Sequence, residues 1–198
     1  MDNRKEFFNQ LSSTWEEKNF SPDTRKRIFD LVQTFQIRKG GWVADVGTGT
    51  GILHPYLLKK IGETGRLFAF DLSFEMIREA IKKPSGPKCL CFQANVNHIP
   101  LPDGICDHVI CFAAFPHFTD KAEALKEMTR VAKIGAHLVI AHLMSREELS
   151  KHHASQKPLA GDRLPEKFEM RKMFLECGLT TLEIRDEPGM YLAEAIKI

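Results

Sequence analysis

The sequence predicts an α/β fold: a doubly wound, mostly parallel sheet of seven strands behind a short N-terminal helical cap. Three observations carry this expectation. Short apolar runs alternate with amphipathic stretches, the pattern of strands joined by right-handed helical crossovers. Residues 42–51, Trp-Val-Ala-Asp-Val-Gly-Thr-Gly-Thr-Gly, pass from an apolar strand to a helix through a glycine turn. The last two apolar runs flank Pro188-Gly189 and read as a hairpin.

Residues 4–19 read as a short helix with Phe7, Phe8, Leu11 and Trp15 along one side. Ser21-Pro22-Asp23 is a helix start, with an N-cap, proline at the first helical position and an early acid. Ile28, Leu31, Val32 and Phe35 follow at i, i+3, i+4 and i+7. Gly40-Gly41 ends this cap, assigned to residues 1–38, and the core is assigned to 39–198 of one domain covering 1–198. Val43, Ala44 and Val46 suit a buried parallel strand. Past Gly51, a helix carries Ile52, Leu53, Tyr56, Leu57 and Ile61 on one side. A strand (Arg66–Asp71), a helix opened by Ser73 (Phe74–Lys82) and two strands (Cys89–Ala94, Asp107–Ala113) come next. The helix Asp120–Lys133 turns Leu125, Met128 and Val131 inward, and His137–His142 is the fifth strand. Ser145-Arg146-Glu147-Glu148 is a capping box opening a short helix. Residues 154–164 are a loop, Pro165–Cys177 a helix ended by Gly178, and Thr180–Ile184 and Tyr191–Ile198 the closing strands.

Bulk properties narrow the function classes. The 198 residues suffice for one domain with a substantial core, and 43% are hydrophobic, as in ordinary soluble proteins. A net charge of +2, with Lys and Arg scattered, gives no nucleic-acid footprint. The start, MDNRKEFFNQ, lacks an apolar signal-peptide core, and no apolar run approaches the ~20 residues of a membrane span, so the expected location is cytoplasmic. Five cysteines are an odd number without a C-x-x-C pair; Cys89 and Cys91 share a strand face and read as reduced packing residues.

The glycine turn is the chemical centre. Glycines let a ligand approach bare backbone, and the following helix offers unpaired N–H groups. A dinucleotide site would want G-x-G-x-x-G, but here the third glycine comes one residue early and Ile52 takes the fingerprint's last position. Asp45, at the end of the strand, suits a cationic ligand and would repel a pyrophosphate. The segment D-V-G-T-G-T-G resembles motif I, D-x-G-x-G-x-G, of the class I S-adenosylmethionine-dependent methyltransferases. The resemblance covers roughly residues 36–198. It implies a Rossmann-like sheet with an antiparallel last strand, S-adenosyl-L-methionine as cofactor, and cofactor contacts at Asp45, Gly47, Thr48, Gly49 and Gly51.

Further positions follow from that alignment. Asp71 ends the second strand where an acid accepts both ribose hydroxyls; a plain acid at a helix N-terminus is the other reading. Leu72, Val96 and Phe112 are expected beside the cofactor. Asn95 stands where the family often has Asp, and its side-chain oxygen still accepts from an adenine amine. The segment H-I-P-L-P-D-G-I-C-D resembles the family's L-P-[FL]-P-D-x-x-[FC]-D, with Asp107 structural. His117 aligns with the second His of a family cluster, x-L-H-H-[LF]; it is either a general base or a histidine packed beside the cofactor. Phe115, His142, His152 and His153 are substrate-side candidates on the same rim. That rim, with Cys111 nearby, invites a metal or soft-metalloid reading, yet its spacing matches no metal signature and no metal is expected. The Asn/Asp-Pro-Pro-aromatic motif of amide methylation is absent, which argues against exocyclic-amine substrates.

Phe8-Asn9-Gln10-Leu11-Ser12-Ser13-Thr14-Trp15-Glu16 loosely echoes F-x-x-x-A-x-x-[WY]-[DE] of small stand-alone methyltransferases acting on quinone precursors and other small molecules, so Trp15 is a lid candidate or a hydrophobic anchor. The function expected is methyl transfer to a small-molecule acceptor, without nucleic-acid or membrane-spanning partner. The alternative is a non-catalytic cofactor-binding subunit or sensor, and a dinucleotide oxidoreductase is a distant third.

Overall fold

Val43, Ala44 and Val46 have no solvent exposure, as so apolar a run requires, and they form β1 (Trp42–Val46) in the interior of the sheet. The chain is described by a computed structural model over residues 3–154 and 156–198. Residues 1 and 2 of the expected cap and residue 155 of the expected loop lie outside the described residues. The other strands are β2 (Arg66–Asp71), β3 (Cys89–Gln93), β4 (Cys106–Phe112), β5 (Ala132–His142), β6 (Leu179–Glu187) and β7 (Met190–Lys197), in the spatial order β3-β2-β1-β4-β5-β7-β6. Strands β1 to β5 are parallel, whereas β7 runs antiparallel to β5 and to β6. The last strand alone is therefore reversed, and it lies inside the sheet with β6 at the edge.

Successive side chains of a strand point to opposite faces, and the core divides accordingly. On one face Val43, Leu67 and Ile110 pack with Ile28 and Val32 of α3 (Pro22–Thr34) and Leu57 and Ile61 of α4 (His54–Ile61). On the other, Ala44, Phe70 and Val109 pack with Leu125 and Met128 of α6 (Lys121–Val131) and Phe174 of α8 (Lys167–Glu176). Both sides of β4 are covered, and all seven of its residues are buried. α5 (Phe74–Ile81) starts on Ser73, whose Oγ accepts from Met76 N–H, and α3 starts on Ser21 in the same way. The expected capping box is present: Ser145 N–H donates to Glu148 and Glu148 N–H to Ser145, opening α7 (Arg146–Ala154). Among the described residues no helix is long and apolar enough to cross a membrane.

Three boundaries differ from expectation for physical reasons. The single helix expected over 4–19 is α1 (Asn3–Leu11), a 3-10 turn at Ser12–Thr14, and α2 (Trp15–Asn19). Ser12 Oγ donates to the Asn9 carbonyl and Thr14 Oγ1 to that of Leu11, drawing carbonyls out of the helical ladder. The helix after the glycine turn starts at His54, not Ile52, because Gly51 and His54 N–H groups close successive turns onto Thr48 and Gly51 carbonyls. β5 starts at Ala132, five residues before the expected start at His137. Ala132 pairs with Cys106, and the register then shifts before His108 meets His137. A bulge containing Gly135, at φ 78°, takes up residues expected to turn.

Candidate functional site

β1 has β2 on one side and β4 on the other, so the chain leaves the sheet in opposite directions at their carboxyl ends. In an open parallel sheet that divergence leaves a crevice. A cavity of about 750 Å³ occupies it, inside the ~300–1,000 Å³ of small-molecule sites.

The floor is the glycine turn. Gly47, Gly49 and Gly51 have φ of 67°, 54° and 75°, a region in which side-chain-bearing residues are strained. Their reasons differ. A Cβ on Gly47 would stand 2.3 Å from Ala114 Cβ, and one on Gly51 would stand 2.6 Å from the His54 ring. A Cβ on Gly49 would meet nothing within 4 Å, because it would enter the cavity. Asp71 fixes this turn from the next strand: Oδ2 accepts Gly49 N–H at 2.9 Å and Oδ1 accepts Ser73 N–H at 2.8 Å. Each oxygen keeps a further lone pair. Burial raises the Asp71 carboxyl above the usual carboxylate range, and the Ser73 and Gly49 amides oppose this.

Asp45 is 1% exposed and accepts the Thr48 hydroxyl at 2.6 Å. Burial raises its carboxyl to about 7, Thr48 lowers it, and the charge of Asp71 adds to the rise. Two buried acids at one cavity wall favour a cationic ligand and disfavour a pyrophosphate. Asn97 Oδ1 is buried with no hydrogen-bond partner, and Asn97 lines the cavity, so a ligand N–H has an acceptor waiting there. These features fit the cofactor that the resemblance implies: acids for its cationic groups, glycine space for its approach, and an acceptor for an amine.

Most of the sequence-selected residues meet at this cavity. Asp45, Gly47, Thr48, Gly49, Asp71, Leu72, Asn95, Val96 and Phe112 line it, as do Trp15, His117, His142, His152 and His153. Gly51 does not line it; its place is dictated by His54 beneath the turn. Phe115 is corrected from substrate side to core: it is 1% exposed and packs edge-on against Phe118 at 5.6 Å. Cys111 is likewise fully buried in the core. The Asn95 oxygen accepts Asn97 N–H at 3.0 Å, which caps the 3-10 turn Val96–His98. Asp107 binds Trp42 N–H, Arg38 and Lys133, a structural role as expected.

The opposite wall comes from far along the chain. His117 Nδ1 lies 2.7 Å from Asp162 Oδ2, and Arg4 grips the same carboxylate through Nε and Nη2 at 2.9 and 2.6 Å. Asp162 is 3% exposed; burial raises its carboxyl, but His117 and Arg4 outweigh this and hold it below the usual carboxylate range. An ionised carboxylate only accepts, so His117 Nδ1 carries the proton and Nε2 is its basic nitrogen. His153 Nδ1 meets the Asp162 carbonyl at 3.0 Å. His142 is pushed down to about 3 by burial and by its histidine neighbours, so it is neutral there. α1 and α2 close the top: Phe8 stacks edge-on against both Trp15 and His117, at 5.5 and 5.1 Å.

Sequence reasoning missed Asp162, Arg4, Asn97 and Ala113. Ala113 directly follows β4, lines the cavity and has φ 57°, the one positive φ of a non-glycine among the described residues. Ala113→Val is expected to destabilise the chain by about 1–2 kcal/mol, since a β-branched side chain resists this backbone region. Denaturant unfolding checks it; an unchanged midpoint would show that the loop relaxes freely.

The comparisons with known proteins agree with this geometry. The family model described as "Methyltransferase domain" matches residues 44–140. The ubiquinone/menaquinone biosynthesis C-methyltransferase UbiE of Francisella philomiragia is 32% identical over 108 residues, 52% of this chain and 43% of the relative. UbiE of Burkholderia mallei is 32% identical over 119 residues, 58% of this chain and 47% of the relative. The chain thus spans less than half the length of these curated relatives. A SAM-dependent methyltransferase structure from Aquifex aeolicus superposes with a TM-score of 0.73 and 25% identity, covering 98% of each chain. The Bacillus YcgJ protein, 17% identical with a TM-score of 0.68 over 87% of this chain and 98% of its own, shares the fold. With D-V-G-T-G-T-G at the crevice, the methyltransferase-domain match and the Aquifex fold support a class I S-adenosylmethionine-dependent methyltransferase, with S-adenosylmethionine as its cofactor.

Proposed function

We propose that the chain transfers the methyl group of S-adenosylmethionine to a small-molecule acceptor enclosed between the carboxyl ends of the strands and the N-terminal helices. The observation that carries this is the hydrogen-bonded His117–Asp162 pair at the cavity wall, 2.7 Å apart and capped by α1. The cofactor supplies a methyl group already activated on a sulfonium. The protein's tasks are then to orient the acceptor and exclude water. Gly49 and the Asp71 carboxylate hold the cofactor side; Phe8 and Trp15 shield the acceptor side. A carbon acceptor, as in the C-methyltransferase named among the relatives, sheds a proton on methylation, and His117 Nε2 takes it. Incubation with labelled cofactor and a panel of quinol precursors and other phenolic or heteroatom acceptors tests the reading. Labelled acceptor with stoichiometric demethylated cofactor supports it; cofactor binding without transfer to any acceptor class favours a non-catalytic subunit or sensor.

Asp71 gives a quantitative check on the cofactor side. Asp71→Ala should weaken cofactor binding by about 2–4 kcal/mol, through lost charge-assisted bonds to the ribose and a released Gly49 amide. The fold should persist, because the residue sits at a strand end. Isothermal titration calorimetry measures the change, and an unaltered Kd would show that the ribose is held elsewhere.

A further inference from the structure

Beneath the glycine turn, on the side away from the cavity, three ligand-type side chains converge. Cys89 and Cys91 lie two apart on the edge strand β3, so both point to one face, and their Sγ atoms are 3.6 Å apart. His54, the first residue of α4, has no solvent exposure and turns Nδ1 toward Cys89 Sγ at 3.9 Å. The ligand atoms of all three lie within 4.8 Å of one another. None of the three lines the cofactor cavity.

The imidazole is oriented for ligation. Thr48 has one hydroxyl proton and donates it to Asp45 at 2.6 Å. Its 2.9 Å contact with His54 Nε2 is therefore accepted from Nε2–H. That leaves Nδ1 with its lone pair on the thiol side. A carboxylate, a hydroxyl and a histidine in series are the outer support that metal-bound histidines use. Gly51 makes room for the ring, since a Cβ there would stand 2.6 Å from it.

The spacing is that of a tetrahedral soft cation. With Zn–S bonds of about 2.3 Å, two thiolates stand ~3.8 Å apart, and a thiolate and an imidazole nitrogen somewhat less. The observed 3.6 and 3.9 Å are close to these edges, and the third, between His54 and Cys91, lies within 4.8 Å. Ser85 Oγ lies 3.4 Å from Nδ1, and Ser85, like both cysteines, is half-buried at the mouth of the site. Lys83 stands near His54, and its charge is matched by Glu16 at 2.6 Å.

We propose that His54, Cys89 and Cys91 bind one zinc-class divalent cation, tying the edge strand β3 to the turn that holds the cofactor. Binding releases two thiol protons to solvent, so the cation with two thiolates and a neutral imidazole carries no net charge, which suits a half-buried place. The site stands apart from the methyl-transfer reading, and its test needs no cofactor.

Reduced, chelator-treated chain is titrated with Co²⁺ and then Zn²⁺. The expected result is a single equivalent of Co²⁺ with a thiolate-to-cobalt charge-transfer band in the near ultraviolet, bleached by Zn²⁺. Cys89→Ser/Cys91→Ser should lose the band, while Cys177→Ser keeps it. A second measurement uses the unaltered chain: Zn²⁺ should protect Cys89 and Cys91 from alkylation, mapped by mass spectrometry, and leave half-buried Cys177 reactive. Absence of the band in the unaltered chain, its persistence in the double variant, or equal alkylation of both cysteines with and without Zn²⁺ would overturn the proposal.

Discussion

Gly49→Val is expected to abolish binding of S-adenosylmethionine and of its demethylated product while leaving the chain folded. Space decides this outcome. A Cβ at position 49 meets no protein atom within 4 Å, so the folded chain has room for valine, and the room it fills is cavity. The φ of 54° adds strain of about 1–2 kcal/mol, which a core of this size absorbs. Gly47→Val is the contrasting control. Its Cβ would overlap Ala114 Cβ at 2.3 Å, so that variant should lose stability as well as binding. Calorimetric titration with the cofactor, beside thermal melts of both variants, separates the two effects. A Gly49→Val chain that binds with the parent Kd would place the cofactor away from the turn.

The contrast between these glycines bears on what a sequence discloses. The pattern of three glycines after an acid is local, and it announced the turn, the strand before it and the helix after it. Why each glycine is needed is not local. Gly47 answers to Ala114 and Gly51 to His54, while a side chain on Gly49 would enter the cavity. Asp71 was legible because its place at the end of β2 follows from strand periodicity, and β2 pairs with β1. The sheet order was legible in class only; the insertion of β7 between β5 and β6 depends on packing that no run of residues spells out. β5 was read short because Gly135 looks like a turn, and only pairing with Cys106 shows it to be a bulge.

The acceptor side was the least legible. Asp162 lies in a stretch with no helical or strand pattern, 45 residues from His117 and 158 from Arg4. A histidine's role is fixed by the partner on its other nitrogen, and that partner is a tertiary fact. The aromatic spacing of α1 signalled an apolar face but not that Phe8 would lie on His117. Phe115 illustrates the opposite error: it neighbours the right residues in sequence, and a 3-10 turn at Phe115–His117 sends it into the core while His117 faces the cavity.

With an acceptor that sheds a proton on methylation, His117→Gln is expected to lower kcat by about 10²–10⁴-fold, the usual contribution of a positioned general base. Cofactor Kd should stay at the parent value, because His117 lies on the wall opposite the glycine turn and Asp71. Asp162 is a positioning residue in this scheme. Its carboxylate holds Nδ1–H and keeps Nε2 free to accept, while Arg4 holds the carboxylate. Asp162→Asn keeps an oxygen to accept from Nδ1–H but loses the charge that steadies an imidazolium, so its kcat loss should be smaller and KM little changed. Asp162→Ala should approach the His117→Gln loss. Arg4→Gln tests the outer end of the chain: KM should rise as α1 loosens over the acceptor, with less change in kcat. Steady-state rates with one identified acceptor distinguish these outcomes. An unchanged kcat in His117→Gln would remove the base from the mechanism and leave His117 as packing beside the methyl group. A fall in kcat with Asp162→Ala but not with His117→Gln would show that the carboxylate acts on α1 alone.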